Sequence, residues 1–166
     1  MKRLLALAVC ALCLSSSVSA DQGSVSVLNE LLRGELSAVE TYRQALEKFK
    51  TGSRAGELKK FHDQHVTAAE TLRNHVVKNG GEPVMTSGAW GTWATAIQGT
   101  ANVMGETAAL KVLKEGEQHG VKEYKELLEN ENAPAAVKEL VRTKLLPQQQ
   151  EHILSLDRLM TASMNS

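Results

Sequence analysis

The sequence predicts an all-α protein, a four-helix bundle made from a duplicated helix hairpin, on three observations. Four segments carry apolar residues at three- and four-residue spacing, separated by three joints rich in Gly, Pro or Asn. No run alternates apolar with polar residues over the length of a strand. The composition, with 4% aromatic residues and 3 Pro in 166 residues, suits long helices, and the length suits one domain.

The first twenty residues stand apart from that pattern. Lys2 and Arg3 precede the apolar run Leu4–Leu14, and Val18-Ser19-Ala20 completes a secretory signal peptide, residues 1–20, cleaved after Ala20. The run is too short for a membrane anchor, which needs roughly 20 apolar residues, and Val9 before Cys10 and Leu12 before Cys13 do not fit a lipoprotein signal. The expected location is secreted or periplasmic, with the bundle domain over residues 21–166 and no membrane insertion after cleavage. Both cysteines leave with the leader, so disulfides and thiolate metal sites are excluded and any metal must be held by His and carboxylates. Loss of Lys2 and Arg3 leaves 17 basic against 19 acidic residues, a formal charge of −2. That balance argues against nucleic acid, which needs clustered cations, and is compatible with a homodimer.

The first segment runs from about Ser24 to Lys50 and stops at Thr51-Gly52-Ser53, where Ser53 is placed to cap the next. The second reaches about Asn79 and ends in Gly80-Gly81-Glu82-Pro83. Residues 80–100, with Trp90 and Trp93, read as a connection containing a short helix or loop, the tryptophans packing it over the bundle. The third segment continues to about Glu129. Asn132-Ala133-Pro134 reads as the cap and first turn of a fourth reaching about Met160, in which Pro147 is expected to bend or split the helix.

A heptad ladder traces one helical face. In the first segment it is Leu28, Glu35, Tyr42, Phe49, and in the third Val103, Leu110, Glu117, Tyr124, so each half carries one carboxylate in an apolar stripe, seven residues before a Tyr. Gly34-Glu35 with Tyr42 parallels Gly116-Glu117 with Tyr124, an internal repeat. Setting the second segment on the fourth aligns His65 with His152, each on an apolar stripe, with His62 and Gln149 three residues earlier. Positions counted from the hairpin joints agree to about one helical turn, so all four groups can converge in mid-bundle.

Buried carboxylates require a counter-charge or hydrogen-bond donors, and no Lys or Arg lies on these stripes near them. Two arrangements satisfy this. One is a transition metal held by Glu35, His65, Glu117 and His152, with His62 and Gln149 as further candidate ligands. The other is a metal-free network in which His65 and His152 hold the glutamates and the tyrosine hydroxyls close the hydrogen bonds. His75 and His119 lie off the stripes and read as surface residues.

The stretch Gly34-Glu35-Leu36-Ser37-Ala38-Val39-Glu40-Thr41-Tyr42 resembles the first helix of bacterioferritin- and rubrerythrin-like proteins of the ferritin-like superfamily, and Glu117 with Tyr124 resembles the third. The resemblance implies a di-iron site, but where the family carries Glu-x-x-His this chain has His62-x-x-His65 and Gln149-x-x-His152, so both bridging glutamates are absent. Gly80-Gly81-Glu82-Pro83, Ser87-Gly88-Ala89-Trp90-Gly91-Thr92-Trp93 and Lys114-Glu115-Gly116-Glu117 look closest to a bacterial ferritin-like branch classed as a domain of unknown function. The function implied is an exported bundle binding iron, as one or two ions, with manganese or zinc as alternatives, and oxidation of the metal by oxygen or peroxide as its chemistry. The alternatives are a metal-free envelope bundle with a structural or interaction role, and haem held by His65 and His152.

Overall fold

The computed structural model describes residues 22–49, 52–88, 105–131 and 133–164. Residues 1–20, read above as a signal peptide, and Trp90, Trp93, Val103 and Asn132 lie outside them. Four helical rods fill the described residues: α1 (Gln22–Lys48), α2 (Ser53–Lys78), α3 (Glu106–Glu129), and α4, which runs as Ala135–Leu140, a π-helical stretch Val141–Leu145, and Leu146–Met164. No strand occurs among the described residues, and none of these helices is long and apolar enough to cross a membrane.

The joints differ in detail from the expectation. Gly52, not Ser53, occupies the N-cap of α2, with φ 94° and no side-chain cap; glycine alone takes that backbone conformation freely. The α2 end closes as its Gly-Gly pair predicts. Gly80 takes φ 74°, its N–H donates to Val77 O at 2.9 Å, and Gly81 N–H donates to Val76 O at 3.0 Å, the paired bonds of a Schellman closure. The chain then runs over α1, where Asn29 clamps it by donating to Glu82 O (3.0 Å) and accepting from Val84 N–H (2.9 Å). Pro134 stands at the N-cap of α4 rather than in its first turn.

The expected break at Pro147 takes the form of an interruption of α4 just before it, between Ala135–Leu140 and Leu146–Met164. The preceding residues widen to a π turn, with Leu146 N–H donating to Val141 O. The wide turn also solves a phase problem. Val137, Val141, Leu145 and Gln149 are buried at successive four-residue steps, and in a regular α-helix three such steps would carry the stripe about 120° around the rod. A wider turn absorbs much of that drift.

α1 packs along α2 and α3 along α4 as antiparallel hairpins. Leu28, Leu32, Leu72 and Val76 of the first hairpin meet Tyr124, Val137, Val141 and Leu145 of the second. Toward the other end Tyr42, Phe49, Leu58 and Phe61 meet Leu110, Leu113 and Leu156. α1 is therefore antiparallel to α3, and Glu35, His65, Glu117 and His152 lie between two apolar clusters that close the bundle above and below.

Candidate metal centre

Each of those four groups is at most 5% exposed. His65 Nδ1 donates to Glu35 Oε2 at 2.7 Å and Nε2 donates to Glu117 Oε1 at 3.0 Å. Both ring nitrogens face carboxylate oxygens, so the ring is an imidazolium. Burial alone lowers its pKa, but the Glu117 and Glu35 charges and hydrogen bonds outweigh burial and raise it to about 10.

Glu117 Oε1 accepts from Tyr42 OH (2.6 Å), His65 and His152 Nδ1 (3.1 Å). Burial pushes the Glu117 pKa up, but the His65 charge and the bonds from both histidines hold it well below the usual carboxylate range. Its other oxygen, Oε2, is buried with no hydrogen-bond partner. Tyr124 OH donates to Glu35 Oε1. Burial first, then the neighbouring carboxylates, raises both tyrosine pKa values, so the phenols remain protonated donors.

His152 Nε2 meets the Gln64 side-chain amide at 2.8 Å. Gln64 neighbours His65 on the flank of its stripe, a position that the apolar spacing does not single out. Rotating its amide exchanges an acceptor for a donor, so it can meet Nε2 whether or not that nitrogen carries a hydrogen. Aromatic rings fix both imidazoles: Tyr42 stacks on His65 at 5.3 Å and Phe61 on His152 at 4.3 Å. The two imidazoles are edge to face with centroids 5.0 Å apart, leaving no slot for a porphyrin plane between them.

One ligand atom from each of His65, Glu117 and His152 lies within 4.8 Å of the others. Two imidazole nitrogens and a carboxylate suit iron, zinc and related ions, and the orphaned Glu117 Oε2 leaves one acceptor uncommitted, so the residues present fit a metal ion. Glu35 joins this group through His65. His62 does not: it is half-buried and pairs with Asp63 at 3.2 Å. Gln149 is buried, its Oε1 without a partner and its amide lying over Gly120 so closely that a Cβ there would fall 2.2 Å from Nε2.

A cleft of about 170 Å³ opens between α1 and α3, with Glu35, Tyr42, Glu117, Tyr124 and Gln149 in its lining. Gly34, Gly116 and Gly120 also line it, and among the described residues these are the only glycines beyond the first turn of a helix. Each forgoes about 1 kcal/mol of helix propensity relative to Ala.

Residues 24–130 match a family described as a domain of unknown function (DUF2383). The matched stretch contains Glu35, His65 and Glu117 and ends before α4, which supplies His152. No curated protein and no solved structure matches the chain.

Proposed function

The chain belongs to the DUF2383 family, and from that membership and the buried His–Glu cluster we propose that it is an exported ferritin-like bundle that holds a transition metal, iron foremost, in its core. The observation that carries this reading is Glu117, a carboxylate with two imidazoles against one oxygen and a buried, unpartnered second oxygen. An orphaned charged acceptor costs about 1–3 kcal/mol or more in a metal-free core, and a cation removes that cost.

In this reading His65, which gives up one ring proton as the ion binds, holds the ion together with Glu117 and His152. Glu35 orients His65, Gln64 orients His152, and Tyr42 and Tyr124 fix the carboxylates as neutral donors. Charge argues for one ion: the two carboxylates neutralise a single divalent cation, whereas a second would leave net positive charge buried. Bound iron supplies one-electron chemistry toward oxygen or peroxide. Manganese and zinc suit the same donors, and availability decides among them. The leader directs the protein to the periplasm or the exterior.

Elemental analysis after growth with iron, manganese and zinc tests this reading. The expected result is about one metal ion per chain, the stoichiometry that charge balance dictates, and its loss in Glu117→Ala. Wild-type protein with no more metal than that variant overturns it. A second reading, a metal-free envelope bundle with an interaction role, is favoured by the placement of His65 between both carboxylates. It requires thermal stability insensitive to chelators.

A further inference from the structure

We propose that the cleft between α1 and α3 is the inlet through which a hydrated divalent cation reaches the core cluster, held open by Gly34 in its wall. The proposal rests on the metal reading above. Its starting point is closure elsewhere: the apolar clusters shut both ends of the bundle, and His65 and His152 are each 1% exposed.

Glu117 belongs to both places. It lines the cleft and is one of the three clustered ligands, and its Oε2, unpartnered and buried, is available to an arriving cation. Gln149 Oε1 is a second unpartnered acceptor in the same lining. Glu30 on α1, 3.5 Å from Arg33, and Glu123 on α3, 3.8 Å from His119, also line the cleft, and no Lys or Arg is among its described lining residues, so its field favours cations over anions. The space of about 170 Å³ open to water centres admits an ion with several waters, each needing about 10–15 Å³ of it.

Gly34 shows that the open space is not a by-product of packing. It is not among the positive-φ glycines, and a Cβ added there meets nothing within 4 Å. Neither backbone conformation nor a close neighbour requires glycine at this position, so its distinctive effect is the volume it leaves free.

The test is the rate of Co²⁺ uptake by the full chain, followed by ligand-field absorbance in a stopped-flow mixer. Gly34→Leu places a side chain in open space and raises helix propensity, so the variant is expected to fold. Its uptake should slow roughly tenfold or more, as about 1.4 kcal/mol added to the barrier produces, with the final stoichiometry unchanged. Gly34→Ala should fall between. Gly56→Leu, in the first turn of α2, outside the cleft and also with open space at its Cβ, should match wild type. Uptake by Gly34→Leu at the wild-type rate, or a reduced final stoichiometry, overturns the inlet. Wild-type protein that takes up no Co²⁺ overturns instead the metal reading beneath it.

Discussion

Tyr42 gives its phenolic hydrogen bond to Glu117, on the opposite hairpin, at 2.6 Å. Tyr124 on α3 donates in return to Glu35 on α1. Seven residues along one helix are about 10.5 Å apart, beyond reach of the Glu on the same rod. The antiparallel register of α1 and α3 instead sets each Tyr opposite the other helix's Glu. The two hairpins are thereby interlocked at their polar centre, with His65 bridging both carboxylates.

Removing either phenol should loosen that lock. Tyr42→Phe and Tyr124→Phe are each expected to cost about 1–3 kcal/mol, because a buried carboxylate loses a donor. Since both bonds feed one network, the double variant should deviate from additivity by about 0.5 kcal/mol or more. Urea unfolding of the four proteins measures both quantities.

Glu117→Gln should be the most damaging conservative change in the core. Its Oε1 accepts three hydrogen bonds, against one at each oxygen of Glu35. Losing the charge strands the His65 cation, at a cost of about 3 kcal/mol or more, and Glu35→Gln should cost less. Thermal denaturation after chelation ranks the pair; equal or reversed losses would contradict the assignment.

The stability of the metal-free protein should depend on pH in two directions. The folded-state pKa of His65 is about 10 against 6.5 unfolded, so its contribution is complete below pH 6.5 and is lost as pH rises toward 10. Glu117 is shifted the other way, so its contribution is present above pH 4.5 and is lost as pH falls through its depressed pKa. Stability should therefore be greatest between those reference values and decline on both sides. Denaturant midpoints across pH 3–10, with an NMR titration of His65, check this; a His65 midpoint near 6.5 removes its basis.

Gly81 makes a purely steric prediction. A Cβ at that position falls 2.4 Å from Val25 Cγ1, so Gly81→Ala should cost about 1–3 kcal/mol through overpacking of the segment that follows α2. Val25→Ala removes the colliding atoms and should recover part of that loss. Chemical denaturation of the single and double variants distinguishes this from a helix-closure defect, which Val25→Ala would not repair.

The four rods were legible because apolar residues at helical spacing mark the face each one buries. Glu35, His65, Glu117 and His152 were legible for the same reason in reverse, as polar residues where that face called for Leu, and the structure brings all four together. What the spacing could not convey is what borders each flank. His62 and Gln149 stand in the same relation to their histidines, yet Gln149 lies over Gly120 and His62 turns to Asp63. Gln64 carries no periodic signal, because its role depends on a ring from α4. Pro147 announced a disturbance in α4 but not its form, which the packing of Val141 and Leu145 selects.

That wide turn makes helical order and core geometry separable properties of this chain. Straightening Val141–Leu145 into a regular α path with no residue removed, the change that Pro147→Ala permits, turns everything beyond it by one residue's rotation, about 100°. Circular dichroism would register an equal or more ordered protein, while His152 would point away from Glu117 and the centre would be left with a single imidazole. In α4 a local irregularity is the condition for long-range alignment, and smoothing it would blind the site.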